Sequence, residues 1–194
     1  MEEVKKRTTV LQGLLDGQIN AIYPATSIEC AALQLRKILE LIALGSLVAH
    51  KDEYAANYEN FASHWHAERI LRDIGKINPD FYPRPMREAP STRPGIKMDL
   101  IDIKDGFLTK DDFISTYNEL GGILHAKNPF SSKIEYGRSK DLIREAIGKT
   151  VILLNSHQIR LLKSQDFLLV HMKEKDDRTH AYIFGQVLQK RGAT

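Results

Sequence analysis

The sequence is poor in cysteine and tryptophan, with one of each among its 194 residues. A single cysteine excludes a disulfide scaffold and a zinc site built from several cysteines. Long apolar runs are also missing. The uncharged stretch Leu41–His50 is far shorter than the roughly 20 residues that a helix needs to cross a bilayer. The first ten residues show no apolar signal-peptide core. We therefore expect no membrane segment and a reducing, cytoplasmic location.

An excess of charge is missing as well. The 28 lysines and arginines nearly balance the 25 acidic residues, which leaves a net charge of +3. This mild basicity permits an acidic partner such as RNA but does not identify one. Hydrophobic residues make up 42% of the chain, which is enough for a core and excludes collagen, a coiled coil and global disorder. The length fits one domain.

Apolar periodicity predicts an α+β fold that begins with a bundle of four or five helices. The segment from Thr26 to His50 is apolar on nearly all sides, so we expect it to be the buried spine of the bundle. Thr26 and Glu29 have the spacing of a capping box at a helix start, and Thr109 with Asp112 indicates another helix start. The predicted helices cover residues 2–22, 26–50, 53–76 (as one helix or two), 109–121 and 139–154.

Prolines are concentrated in one short part of the sequence, where five of the seven lie within 79–94. Proline cannot donate a ladder hydrogen bond and restricts the residue before it, so we predict a surface crossing over about residues 77–95. The crossing carries Arg84, Arg87 and Arg93. These arginines are candidates for nucleic-acid or partner binding, and the alternative is that they are simply solvated.

The C-terminal part of the chain changes to a strand period. Three strands are predicted at residues 157–162, 167–174 and 179–187, and the short polar breaks between them favour an antiparallel meander. A weaker strand signal covers Ile96–Ile103. We therefore expect a helical bundle over residues 1–156 with a three-stranded meander over 157–190 packed on it, in one domain.

Metal and cofactor motifs are incomplete. Gly148, Lys149 and Thr150 copy the end of a phosphate-binding loop, but the first glycine is replaced by Ile143 and the segment is helical. The strand histidines lack a cysteine or a further histidine that would complete a zinc set. We predict no metal and no cofactor.

Charged residues in the apolar spine form the first candidate site. Glu29 and Arg36 are two helical turns apart on one face, and Glu40 follows Arg36 after one turn. Charges in a buried helix need partners or a cleft. The two interpretations are a local ladder of ion pairs and a cleft that binds an anion.

A histidine at a helix end forms the second candidate site. His125 follows the predicted helix and precedes a polar loop with Lys127 and Asn128. A helix C-terminus stabilises a protonated imidazole, so His125 is a candidate general acid or base for an RNA 2′-hydroxyl, with the loop residues binding the substrate. The alternative is that His125 only caps the helix by a hydrogen bond to a free carbonyl.

The stretch Y-x-x-L-G-G-x-L-H-A at Tyr117–Ala126, together with the helical core, resembles the HEPN-like superfamily of prokaryotic helical-bundle proteins over roughly residues 1–156. Other stretches resemble bacterial proteins of unknown function. The HEPN-like resemblance implies either a metal-independent ribonuclease of a toxin–antitoxin or phage-defence system, or an inactive binding or dimerisation module. No arginine lies five to seven positions before any histidine, so Arg36 or Arg138 would have to replace the arginine of the active motif.

Two functions are therefore expected. The first is a non-catalytic binding or assembly module of a bacterial cytoplasmic system, with a protein partner or a second copy of the chain. The second is a HEPN-like ribonuclease in which His125 is the acid or base, Glu29 supports the site, and Arg36 or Arg138 stabilises the phosphate charge.

Overall fold

The computed structural model describes residues 1–59, 63–64, 66–126, 130, 135–162 and 166–185. This part of the chain has the expected α+β fold. It contains six helices rather than four or five: α1 (Glu2–Leu15), α2 (Pro24–Ala49), α3 (Lys51–Asn57), α4 (Ala67–Ile77), α5 (Lys110–Leu124) and α6 (Tyr136–Leu154). It contains five strands: β1 (Arg84–Pro90), β2 (Met98–Asp102), β3 (Ser156–Arg160), β4 (Phe167–His171) and β5 (His180–Phe184).

Helix α2 is the centre of the bundle, as the sequence predicts. Helices α1, α4, α5 and α6 all pack against it. Its residues Leu35, Ile38 and Leu39 have no exposed surface. Burying one such side chain contributes about 1.5–3 kcal/mol, so the inward face of α2 is a major source of stability. Within the described residues, no helix has the length and apolar character needed to cross a membrane.

Helix α1 is shorter than predicted. It ends at Leu15 rather than near residue 22. Gly17 has a φ of 75° and Ile22 a φ of 71°, both in the left-handed region, so the chain cannot continue as a right-handed helix there. Ile22, at the end of the predicted helix, is 95% exposed and lies outside the core.

The capping box predicted at Thr26 does not form. Helix α2 already begins at Pro24, because proline at the first helical position has its φ preset and needs no N–H partner. Thr26 therefore lies inside the first turn, where its hydroxyl donates to the carbonyl oxygens of Ala21 and Tyr23. The helix predicted over residues 53–76 is two helices, as one of the two interpretations proposed.

The capping box at Thr109 does form and begins α5. The Thr109 hydroxyl oxygen accepts from the Asp112 N–H at 3.1 Å, and the Asp112 carboxylate accepts from the Thr109 N–H at 3.2 Å. These bonds satisfy two backbone donors that the first turn of a helix leaves free.

Replacing Thr109 by alanine is expected to lower the free energy of unfolding by about 1 kcal/mol, because the cap is lost. Urea denaturation measures the loss. The matched control is Thr9→Ala, since Thr9 is exposed within α1 and its hydroxyl donates to the carbonyl of Lys5 in the same helix. We expect the control to change stability by less than about 0.5 kcal/mol. Equal losses in the two variants would contradict this role of the cap.

The sheet is larger than the predicted meander. Its strand order is β2-β1-β3-β4-β5, and every neighbouring pair is antiparallel. Strands β3, β4 and β5 form the expected meander, and β1 and β2 extend it to five strands. Residues 186–190 of the predicted meander lie outside the described residues.

The proline-rich crossing supplies β1, so its predicted place on the surface is wrong for Pro85 and Met86, which are buried. The β1–β3 ladder has only two paired positions, and Pro85 occupies one of them. A proline without an N–H donor therefore disrupts little of this short ladder. The Pro85 carbonyl still accepts a hydrogen bond, at 3.0 Å from the Ile103 N–H.

A buried polar network joins the bundle to the sheet. The Asn78 amide nitrogen donates to the Arg160 carbonyl at 2.9 Å and lies 2.8 Å from His50 Nε2. The Asn78 oxygen accepts from the Asp80 N–H at 3.0 Å, which fixes the orientation of the amide. His50 Nδ1 lies 2.9 Å from the Ser46 carbonyl oxygen, and Nε2 lies 3.0 Å from the Arg160 carbonyl oxygen. The network therefore ties α2, the end of α4 and β3 together.

Candidate functional site

Arg36 makes its contacts with α5 and with its own helix. Its guanidinium carbon lies 3.8 Å from the centre of the Tyr117 ring, as in a cation–π contact. Nη1 donates to the Tyr117 carbonyl at 3.0 Å, and Nε lies 3.7 Å from a carboxylate oxygen of Glu40. The predicted pair of Arg36 and Glu40 is confirmed. The face of the guanidinium contacts the Tyr117 ring, and its N–H groups contact the Tyr117 carbonyl and the Glu40 carboxylate.

Glu40 is the acidic centre of the same group. It accepts from Lys37 Nζ at 2.8 Å and from the Tyr117 hydroxyl at 3.4 Å. Burial raises the pKa of the Tyr117 hydroxyl, so this hydroxyl stays protonated and remains a donor at neutral pH. We call Arg36, Lys37, Glu40 and Tyr117 the Arg36 cluster. Its two cations share one carboxylate, and its contacts are largely with each other.

Gly121 gives Arg36 the room that it needs beside α5. A Cβ at this position would lie 3.2 Å from Arg36 Nη1, closer than a relaxed contact. The sequence predicts that Gly121 and Gly122 end or distort the helix, but α5 continues to Leu124. The glycine at 121 therefore serves a close approach between helices rather than a helix end.

His66 is a neighbour of the Arg36 cluster that the sequence does not reveal. It precedes α4, and its ring meets the Tyr117 ring edge-on with the centroids 5.7 Å apart. The Tyr117 ring is thus contacted by a cationic side chain and by an imidazole. No spacing in the sequence could have indicated this, because the contact joins segments 51 residues apart through the packing of α4 and α5 on α2.

Glu29 does not join the predicted ladder with Arg36. Its carboxylate accepts from the Tyr136 hydroxyl at 3.3 Å, at the start of α6. The two-turn spacing places Glu29 and Arg36 on one side of α2, but Arg36 faces α5 whereas Glu29 contacts α6. The three-residue ladder is therefore reduced to the single pair of Arg36 and Glu40.

His125 lies at the C-cap of α5 and is exposed. Within the described part of the chain it makes no hydrogen bond, so the carbonyl cap predicted as its structural role does not form. Lys127 and Asn128, predicted to accompany it, lie outside the described residues. Arg138 is exposed in the first turn of α6. No contact brings His125, Glu29 and Arg36 together among the described residues.

The arginines of the proline-rich segment are partly neutralised. Arg84 forms an ion pair with Asp80, and Arg93 forms one with Asp99. Hydrogen bonding by Arg93 lowers the pKa of the Asp99 carboxyl, which favours its ionised form in this pair. Arg87 is exposed on β1. The three predicted binding residues therefore present less free positive charge than their number suggests.

The strand histidines divide between the two faces of the sheet. His171 and His180 lie directly opposite each other in the β4–β5 register, and His157 is on the other face. His171 Nε2 lies 3.6 Å from a carboxylate oxygen of Glu88, and His180 is hydrogen-bonded to Asp176, which raises the pKa of His180. Within the described residues, no cluster of three or more metal-ligating side chains is suited to hold an ion.

Comparison with known proteins adds no assignment. No protein-family model, no curated protein and no solved structure matches the chain.

Proposed function

We propose that the chain is a non-catalytic assembly module of a bacterial cytoplasmic system, of the kind found in phage defence or toxin–antitoxin systems, and that it acts by binding a protein partner or a second copy of itself. The bacterial setting and the class of system come from the HEPN-like resemblance. The α+β fold with a central helical bundle is compatible with an assembly module. The proposal that the module is non-catalytic rests on one observation, the set of contacts that Arg36 makes.

A catalytic arginine must direct its N–H groups at the charge that develops on the substrate phosphate. Arg36 instead covers the Tyr117 ring, bonds to the Tyr117 carbonyl and pairs with Glu40. Freeing it would break a cation–π contact, a hydrogen bond and an ion pair. The contacts therefore support a role for Arg36 in joining α2 to α5.

A HEPN-like ribonuclease is the second candidate, and one observation favours it. Arg36 Nη1 lies beside Gly121, and His125 follows Gly121 by one helical turn on the same side of α5. A substrate phosphate at the end of α5 would therefore lie within a short side-chain movement of Arg36. In this alternative His125 is the acid or base, and Arg36 stabilises the phosphate charge.

An RNA cleavage assay separates the two functions. We expect the folded wild-type protein to leave tRNA and a structured RNA uncut in the presence of EDTA. The variants are His125→Ala and, as the control, His180→Ala, a half-buried histidine of the sheet that pairs with Asp176. Cleavage that survives in His180→Ala and falls at least 100-fold in His125→Ala would refute the assembly proposal and establish the ribonuclease.

A further inference from the structure

Three cations of helix α4 converge on one buried carboxylate. Arg69 Nε lies 3.5 Å from one carboxylate oxygen of Asp73, and Arg72 Nε lies 3.6 Å from the other. Lys76 Nζ lies 3.5 Å from the oxygen that Arg72 approaches. We call Arg69, Arg72 and Lys76 the α4 cations and propose that they bind the phosphate group of a phosphorylated side chain on a protein partner. This inference rests on the proposed assembly function and names the chemistry of the partner.

The α4 cations lie side by side on the solvent side of their helix. Residues 69, 72 and 76 are three and four positions apart, so they fall within about one-sixth of the helix circumference. Their side chains are 54%, 61% and 65% exposed, whereas the Asp73 side chain is only 5% exposed. Asp73 therefore lies beneath the α4 cations and holds them from the side of the core.

Both guanidinium groups keep donors free for a ligand. Each approaches Asp73 through Nε, at distances of 3.5 and 3.6 Å that are longer than the roughly 2.7–2.9 Å of a charge-assisted hydrogen bond. Among the described residues, neither side chain makes a hydrogen bond. A guanidinium carries five N–H donors in a planar fork, so the Nη ends of both arginines remain available to one acceptor group. Asp73 thus fixes the positions of the two forks without occupying them.

Charge complementarity identifies the occupant as a phosphate monoester. One carboxylate faces three cations, which leaves two positive charges uncompensated. Glu68 is the other acidic residue of α4, and within the described part of the chain it forms no ion pair with the α4 cations. A phosphate monoester carries a charge of about −1.5 to −2 at neutral pH and offers three acceptor oxygens, which match two guanidinium forks and one ammonium group.

The shape of the site favours a phosphate that is carried by a protein. Because more than half of each cation is exposed, the site lies on an open helix face. A free small molecule is normally held in a concave pocket that buries most of its surface. RNA is bound by cations that follow successive phosphates, whereas the α4 cations converge on a single point. A phosphorylated partner suits an open face, since its own surface supplies the remaining contacts.

Binding of a phosphopeptide, followed by the NMR signals of α4, is the first test. The probe is a five-residue peptide with phosphoserine between glycines, and we expect it to bind at least 10-fold more tightly than the same peptide with serine. Arg72→Gln is expected to weaken binding at least 10-fold, because it removes one fork. The matched control is Arg144→Gln on α6, since Arg144 is 52% exposed and also pairs with an aspartate, and it is expected to bind like the wild type. Equal affinities for the two peptides, or for the two variants, would overturn the site.

Two further probes test the source of the phosphate. One is a pool of peptides with a fixed central phosphoserine and varied neighbours, and the peptides retained on the immobilised protein are expected to bind at least 10-fold more tightly than inorganic phosphate. The other is a single-stranded RNA hexamer without terminal phosphates, which is expected to bind at least 10-fold more weakly than the retained peptides. Inorganic phosphate or RNA that binds as tightly as the best peptide would overturn the assignment to a phosphorylated protein.

The variant Asp73→Asn tests whether Asp73 positions the two forks. If net charge alone attracted the phosphate, loss of this carboxylate would strengthen binding. We expect binding to weaken at least 3-fold instead, because asparagine keeps the size of the side chain but no longer attracts both guanidinium groups. Unchanged or tighter binding would overturn the positioning role of Asp73. Circular dichroism of each variant, compared with the wild type, shows that a change in binding does not arise from unfolding.

The two proposals fail in different experiments. RNA cleavage that depends on His125 would refute the assembly function and would leave the measured affinity for the phosphopeptide unchanged. A protein that does not distinguish the phosphorylated peptide from the serine peptide would overturn the α4 site, while an assembly function through another surface would stand.

Discussion

Replacing Asn78 by alanine is expected to lower the free energy of unfolding by about 3 kcal/mol. Asn78 is only 5% exposed, and its amide makes three hydrogen bonds, to Arg160, His50 and Asp80. Alanine removes all three, although His50 Nε2 and the Arg160 carbonyl oxygen remain 3.0 Å from each other. Each lost bond costs about 0.5–1.5 kcal/mol, and a buried polar atom left unpaired costs about 1–3 kcal/mol.

The matched control for Asn78 is Asn155. Both residues are helix C-caps, Asn78 for α4 and Asn155 for α6, but the Asn155 side chain is exposed and makes no hydrogen bond within the described residues. Asn155→Ala is expected to change the free energy of unfolding by less than about 0.5 kcal/mol. Urea denaturation of the two variants measures the difference, and equal losses would show that the buried network contributes nothing beyond a helix cap.

Much of the bundle could be predicted from local patterns. The apolar run from Thr26 to His50 predicts a central helix because a helix that is apolar on most sides is stable only when other elements cover it. The Thr109 cap was predictable because both partners lie within four residues of each other. The cap at Thr26 failed for the opposite reason, since Pro24 started the helix earlier than the capping pattern required.

The sheet could be predicted only in part, because its other half depends on tertiary contacts. Strand β1 contains the proline pattern that normally excludes an inner strand. It is held in the sheet by pairing with β2 at five positions and with β3 at two, and Pro85 and Met86 are buried. The strand over Met98–Asp102 had a weak signal and became stable by pairing with β1. Long-range pairings of this kind leave no periodic signal in the sequence.

The candidate site divides in the same way. The pair of Arg36 and Glu40 was predictable from its one-turn spacing. The contacts of Arg36 with Tyr117, of Tyr117 with His66, and of Glu29 with Tyr136 all join different elements. They depend on how α4, α5 and α6 dock on α2, and residue spacing along the chain carries no information on that docking.

Acid is expected to destabilise the protein through His157. Its side chain has no exposed surface, and burial lowers its pKa from 6.5 to about 4, with the charges of His171 and the N-terminus acting in the same direction. Nδ1 donates to the Leu154 carbonyl at 2.8 Å, while Nε2 has no hydrogen-bond partner among the described residues. A proton on Nε2 would therefore place an uncompensated charge in the core.

The sign of the effect follows from the lowered pKa. Above pH 6.5 the histidine is neutral in both states, and its folded environment carries no penalty. Between pH 6.5 and about 4 the unfolded chain binds a proton that the folded protein does not. Lowering the pH through this range therefore lowers the free energy of unfolding by about 3 kcal/mol in total. Below about pH 4 both states are protonated at this residue, and it causes no further loss.

Urea denaturation at several values between pH 7 and pH 4.5 measures this loss. The variant His157→Gln keeps an amide that can donate to the Leu154 carbonyl but cannot titrate, so its stability is expected to fall much less than that of the wild type over this range. The matched control is His125→Gln, because His125 is exposed at the end of α5 and its substitution is expected to leave the wild-type pH dependence in place. If His157→Gln keeps the full wild-type pH dependence, the acid sensitivity arises from other groups. If the pH dependence is lost in this variant, one buried imidazole that the proposed function does not use sets the acid limit of the fold.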